Sequence, residues 1–151
     1  MKLFLKSGKI RGGNLFVDEY VGIALEFVGK VKELLASQSF SFRDVIRDSV
    51  PDNAGVYVIF NENEEIIYVG RTGNLRRRLL GDHRSGNVKG SQFRRALMQN
   101  YGFKNESEIS NYICEKCAFK FREIADSVER IRLEHFATAV LAPTLNMKLK
   151  Q

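Results

Sequence analysis

Cysteine is scarce in this chain. Cys114 and Cys117 are the only two among 151 residues, too few for a disulfide framework. Long apolar runs are absent as well: nothing approaches the roughly 18 apolar residues of a membrane span, so no membrane partner is expected. The apolar stretch in the opening "MKLFLKSGKIRGG" is too short for the core of a secretion signal, which argues for the cytoplasm. Repeats and low-complexity tracts are missing. At 44% hydrophobic and 28% charged the chain has material for a packed core, which excludes disorder for most of its length. Its length predicts a single domain over residues 1–151.

Acid is missing where base is most concentrated. From Arg71 to Arg95 there are eight basic side chains: Arg71, Arg76, Arg77, Arg78, Arg84, Lys89, Arg94 and Arg95. Asp82 is the lone acid among them. That segment carries +7 of a net charge of +6, leaving the rest of the chain at −1. A basic patch on a near-neutral body points to a polyanion, usually nucleic acid. A solvated face or a set of surface ion pairs is the competing reading, and the shortage of local carboxylates weighs against it.

Histidine is limited to His83 and His135. Cys114-x-x-Cys117 has no second such pair, whereas zinc needs about four ligands. A redox pair usually opens a helix in a thioredoxin-like setting, which is not seen. The cysteines read as structural thiols on or near a strand, with a zinc or thiol-redox protein as the third-ranked reading.

The apolar pattern divides the chain. Residues 1–17 read as irregular or a short strand, broken at Gly12–Gly13. Residues 18–36 predict a well-buried helix with Asp18 at its start, since Val21, Ala24, Val28, Val31 and Leu35 recur at helical spacing and Tyr20, Ile23, Phe27 and Leu34 widen the face. A shorter helix is expected over 41–48, and "PDNAG" then breaks the chain. "GVYVIFNENEEIIYVG", residues 55–70, is a β-hairpin. A loop over 61–64 would pair Phe60 with Glu65 and set Tyr57 opposite Tyr68; a one-residue slip would part the tyrosines, and the sequence leaves the register open.

After the "RTGN" turn, Asn74 caps a helix over Leu75–Leu80. Leu75 and Leu79 mark its buried side, Arg78 lies beside them, and Arg76 and Arg77 point outward. A helix over 91–100 follows, then a strand within 111–124 in "AFKFREI". Asp126 and Glu129 form a capping box for a helix over 127–141, with Leu133, Phe136, Ala137, Val140 and Leu141 as its core stripe. Glu134 stands about 100° from Leu133 and reaches the edge of that seam. Pro143 stops the helix, with Asn146 just beyond.

In their order, "GVY", then "YVG" with its tyrosine eleven residues on, then an arginine on the next helix, resemble the GIY-YIG nuclease family. "LEHFATAVLAPTLN" is similar to that family's C-terminal pattern of a helical Glu, a Pro-containing segment and an Asn. The resemblance covers residues 55–146 and leaves 1–50 as an extension. It implies an α+β (α/β) domain in which helices flank a three-stranded antiparallel sheet. It also implies hydrolysis of nucleic-acid phosphodiesters with one divalent metal. Tyr57, Tyr68, Arg78, Glu134 and Asn146 match the family's site positions, and Gly70 matches the glycine that leads into the arginine helix. His83 matches more loosely, five residues after Arg78 where many members place a His or Tyr four after.

The residue types suit that chemistry. Glu134 is a hard oxygen ligand for Mg²⁺ (or Mn²⁺). Arg78 offers a planar fork to the scissile phosphate. Tyr57 or Tyr68 positions water, or acts as base if Arg78 and the metal depress its phenol; His83 is the alternative base. Asn146 holds the neighbourhood by hydrogen bonds. Arg71, Arg76, Arg77, Arg84, Lys89, Arg94 and Arg95 fall to backbone binding. The expected activity is therefore a cytoplasmic, metal-dependent endonuclease on double-stranded or branched DNA, with a catalytically weak nucleic-acid-binding module as the alternative. Cutting two strands in concert would require a homodimer, for which no sequence feature speaks.

Overall fold

The computed structural model describes residues 14–148. Helix α1 (Asn14–Ala36) leads to strand β1 (Phe40–Ser41) and a short 3-10 helix (Arg47–Ser49). The hairpin β2 (Gly55–Phe60) and β3 (Ile66–Thr72) follows, then a π-helix (Arg77–Arg84). The rest is α2 (Gln92–Tyr101), α3 (Glu106–Lys116), β4 (Ala118–Glu123), α4 (Ser127–Leu141) and α5 (Thr144–Lys148). The reading of residues 1–13 lies outside the described residues, while 14–17 belong to α1. No described helix is long and apolar enough to cross a membrane.

The sheet is antiparallel and ordered β1-β4-β2-β3. It has four strands rather than three, because Phe40–Ser41 adds to the edge of β4. Two residues are too short to show the alternation by which a strand is read. Around them the helix expected at 41–48 is replaced by a turn and the 3-10 helix, which bury Phe42 and Val50 and leave Ile46 exposed.

Central strand β2 is buried on both faces, as a wholly apolar "GVYVIF" requires. Val56 and Val58 pack with Val69 against Phe27, Val31 and Leu34 of α1 and Leu133 and Ala137 of α4. Tyr57 and Ile59 face the opposite layer, with Tyr68, Leu75, Leu79, Phe93, Leu97 and Leu145. Tyr57 therefore stands on the side of the π-helix and α2.

The hairpin register settles the open question. Tyr57 pairs with Gly70 and Ile59 with Tyr68, and a bulge at Ile59/Phe60 pairs Phe60 with Ile66. Relative to the 61–64 loop the register moves by two, which keeps both tyrosines on one face. Asn61 builds the turn: its Oδ1 accepts from the Asn63 and Glu65 amides at 3.0 and 3.1 Å.

Helix α1 differs most from expectation. It starts before Asp18, and only its Phe27–Val31–Leu34 face is buried. Tyr20, Val21, Leu25 and Val28 are exposed, Leu25 at 65%. The apolar arc of this helix is wider than the sheet covers. Helix α4 has its expected bounds, and Asp126 Oδ1 caps it by accepting from the Glu129 amide at 2.6 Å, although Val140 of the expected stripe is exposed. Helix α3 was not read from the sequence. Cys114 sits in its last turn and Cys117 follows it, buried, with its thiol pushed up to about 12 by burial.

Candidate active site

Strand β2 supplies Tyr57, and the paired position Gly70 leaves room for it. A Cβ at Gly70 would overlap the Tyr57 phenol. Gly70 thus serves inside strand β3, as the floor under a tyrosine, rather than as the turn into the arginine helix. Tyr68 lies on the same face, its ring centroid 6.4 Å from that of Tyr57.

The helix after the hairpin is capped as expected, with Asn74 Oδ1 accepting from the Arg77 amide at 2.8 Å. It does not end at Leu80. It continues through Gly81 as a π-helix to Arg84. In π winding the i→i+5 hydrogen bond replaces i→i+4, so residues five apart align as residues four apart do in an α-helix. The extra residue between Arg78 and His83 is absorbed in this way. His83 is buried at 1% exposure, and its Nε2 lies 2.6 Å from Tyr57 Oη.

A serine completes this line of contacts. Ser91 Oγ lies 2.8 Å from His83 Nδ1 and accepts from the Arg94 amide at 3.1 Å, so it caps α2 and touches the histidine together. Sequence reasoning passed it over because a serine before a helix looks like a cap and nothing more. Burial, then the Arg78 and Arg94 charges, push His83 down to about 3, so its ring is neutral. Burial raises Tyr57 well above its ordinary value, with Tyr68 adding to the effect, and burial followed by the Glu134 charge takes Tyr68 to about 12. The Arg78 charge lowers both phenols but is outweighed. The Arg78 charge alone therefore does not bring either phenol below its ordinary value.

The cleft encloses about 400 Å³. Tyr57, Tyr68, His83 and Glu134 meet there with four cations: Arg71, Arg78, Lys89 and Arg95. Arg78 is held between Asp82 at 3.1 Å and the Gly90 carbonyl at 3.3 Å. Arg95 is anchored on the carbonyls of Val88 and Lys89, at 3.2 and 3.3 Å. Glu134 enters beside edge strand β3. Its Oε2 is buried and accepts no hydrogen bond; Arg71 Nε lies 3.6 Å away and His135 Nε2 3.4 Å. Arg130, its neighbour one turn back, bonds instead to the carbonyls of Ile124 and Ala125.

Other residues singled out from the sequence lie elsewhere. Asn146 does not line the cleft. Its side chain both accepts from the Val69 amide and donates to the Val69 carbonyl, each at 2.8 Å. These are the outward backbone groups of edge strand β3, so Asn146 closes that edge and fixes the strand that carries Tyr68. Arg76, Arg77 and Arg84 line a different cavity, and Arg76 does not simply point outward, because its Nε donates to the Val50 carbonyl at 2.7 Å.

Arg94 corrects the backbone-binding assignment outright. It is fully buried, at 0% exposure. Its guanidinium donates to Glu106 Oε2 at 2.8 and 3.1 Å, to the carbonyls of His83, Arg84 and Glu106, and to Ser110 Oγ. No donor is left for a phosphate. The carboxylate that pairs it lies beyond the acid-poor segment, which is why local counting missed it.

Residues 53–137 match the family model of the GIY-YIG catalytic domain. This chain belongs to the GIY-YIG nuclease family. It is accordingly an enzyme domain of the endonuclease class. The UvrABC system protein C of Tropheryma whipplei (strain Twist) is 33% identical over 104 residues, 69% of this chain and 14% of that protein. The protein of the same name from Dictyoglomus thermophilum is 27% identical over 104 residues, 68% of this chain and 14% of that protein. The matched region is thus a small part of those relatives. The GIY-YIG N-terminal endonuclease domain of UvrC from Thermotoga maritima, solved bound to its catalytic divalent cation, aligns with 64% of this chain and 84% of its own at 19% identity and a TM-score of 0.38. Within the GIY-YIG match lie Tyr57, Tyr68, Arg78, His83 and Glu134; Arg47 and Asn146 lie outside it.

Proposed function

We propose that this GIY-YIG domain is a divalent-metal-dependent endonuclease that hydrolyses DNA phosphodiesters with a single metal ion. One observation carries the reading: Glu134, whose Oε2 is buried and accepts no hydrogen bond, lines a cleft that also holds the Tyr57–His83 pair and four cations. A bare carboxylate oxygen of this kind fits a small hard cation that keeps most of its waters, so Glu134 would hold Mg²⁺ or Mn²⁺. When bound, the ion supplies Lewis-acid stabilisation of charge on the phosphate oxygens.

The protein's own groups do the rest. Arg78, fixed by Asp82 and Gly90, presents its fork to the phosphate and stabilises its growing charge. Arg71, Lys89 and Arg95 draw the anionic backbone into the cleft. Tyr57 Oη faces the cleft with His83 Nε2 behind it. In the tautomer where His83 Nδ1–H donates to Ser91, Nε2 accepts the phenol proton. Tyr57 then takes a proton from the attacking water as its own passes to His83. His83 is neutral, so its Nε2 lone pair is free to accept, and the negative charge of a bound phosphate would offset the burial and the Arg78 and Arg94 charges that disfavour its protonated form. Tyr68 packs edge-on against His83 and keeps water from the ring. The free thiols suit a reducing cytoplasm.

Supercoiled plasmid and branched DNA incubated with the protein in Mg²⁺, Mn²⁺ or EDTA test the reading. Nicking with either metal and none in EDTA is expected. Tight binding without cutting in any metal would replace the enzyme with a nucleic-acid-binding module.

A further inference from the structure

The π-helix has a second charged side. Away from the catalytic cleft it borders a cavity of about 460 Å³, larger than the cleft itself. Arg47, Arg76, Arg77 and Arg84 line it, and Asp52 is the only carboxylate among its lining residues. Among the described residues, none of these four arginines takes part in an ion pair. Four guanidiniums around one concavity repel one another, with Asp52 the one carboxylate beside them, so an anion from outside would stabilise the arrangement.

The cavity is built, not casual. The chain at 50–53 is stitched to the start of the helix by three hydrogen bonds. The Leu75 amide donates to the Asn53 carbonyl at 2.9 Å, the Arg76 amide to the Pro51 carbonyl at 3.0 Å, and Arg76 Nε to the Val50 carbonyl at 2.7 Å. With Asn74 holding the Arg77 amide, the first backbone donors of the helix are already taken. The donors left for a ligand are guanidinium forks, whose planar geometry matches phosphate oxygens. Arg47 stands on the 3-10 helix, and both it and Asp52 precede the matched family region at 53–137. This side of the cavity lies just outside the matched region.

We propose that the arginine cavity is a second phosphate-binding site, which grips the sugar-phosphate backbone of DNA flanking the scissile bond, and that residues 47–52 complete it. The identity of the polyanion rests on the endonuclease reading; the existence of the site does not. Catalytic cleft and arginine cavity lie on two sides of one helix, so a duplex straddling that helix is held by both. Such contacts position the backbone without reading bases.

Fluorescence anisotropy of labelled duplex with the full chain, in EDTA so that nothing is cut, tests this. The variants are Arg47→Ala, Arg47→Ala with Arg84→Ala, and the charge-keeping double Arg47→Lys with Arg84→Lys. The double alanine variant is expected to weaken duplex binding roughly tenfold near 0.1 M salt and to flatten the slope of log K against log salt by about two. Arg47→Ala alone flattens it by about one, and the lysine double keeps the slope. Arg47 is exposed, so the single variant folds even if the double does not. Wild-type affinity and slope in Arg47→Ala would overturn the proposal. So would an equal loss on a dinucleotide that fits the catalytic cleft alone, since the effect would then be one of overall charge. Inorganic phosphate that binds wild type but not Arg47→Ala, while duplex binding is the same for both proteins, would make it a small-anion site and overturn it likewise. Failure of the endonuclease reading looks different: no cutting under any metal, with this binding pattern intact.

Discussion

Tyr57 is constrained on three sides by residues with no spare freedom. Gly70 makes room under its ring, His83 meets its hydroxyl, and Ser91 holds the far nitrogen of His83. Ser91→Ala removes a helix cap, costing about 1 kcal/mol of stability, and also frees the imidazole. It is expected to lower cleavage well beyond what the stability loss explains and to shift the His83 ring resonances in ¹⁵N NMR, with Ser91→Thr restoring both. Unchanged resonances would reduce Ser91 to its cap. The same burial sets a pH window. His83 titrates near 3 in the fold against an ordinary 6.5, so the unfolded chain takes up its proton first. Its contribution is whole above about 6.5 and drains as pH falls from there, by up to about 1.4 kcal/mol per pH unit. At the other end Tyr68, at about 12 against 10, has its contribution intact below about pH 10 and loses it as pH rises toward 12. Thermal melts should decline between pH 6.5 and 5 in wild type and lose that slope in His83→Gln.

At the scale of elements, the π-helix shows what sequence can and cannot say. Asn74, Leu75 and Leu79 were legible as cap and buried stripe because capping and stripe spacing are local. The winding was not, because a glycine followed by a misplaced histidine reads as the end of a helix. Deleting Gly81 should let the segment rewind as an α-helix with histidine four residues after Arg78, so plasmid nicking should survive the deletion and fail on insertion of an alanine there. Arg94 lies at the other end of the same device: its guanidinium takes the His83 and Arg84 carbonyls and ties them to Glu106 on α3. Arg94→Ala strands several buried acceptors and should cost at least about 2 kcal/mol, read by urea denaturation. A stable Arg94→Ala with weakened DNA binding would return Arg94 to the interface. The exposed half of α1, the two-residue β1 and helix α3 escaped reading for one reason: each depends on what it packs against, not on its own pattern.

Across the whole molecule, charge and fold are arranged around one helix. The acid-poor stretch seen in the sequence is real, but its arginines have three fates. Arg71, Arg78 and Arg95 face the catalytic cleft, Arg76, Arg77 and Arg84 face the second cavity, and Arg94 is sealed in the core. The order of Tyr57, Tyr68, Arg78 and Glu134 along the chain was enough to name four residues that line one cleft, since those side chains converge once the hairpin and α4 pack on each other. Asn146 was found by the same order, yet it acts from behind the cleft by closing the edge of β3. Segregation of the rest follows from tertiary partners that lie far away in sequence.

Glu134 is the residue on which the account stands or falls. Single-turnover cleavage of DNA by wild type and Glu134→Gln, with DNA binding measured on the same preparations, addresses it most directly. The account predicts metal-dependent cutting by wild type, cutting reduced by a factor of at least about 10² in Glu134→Gln, and binding equal or tighter, since a negative charge beside phosphate is removed. Equal cleavage rates for the two proteins would contradict it.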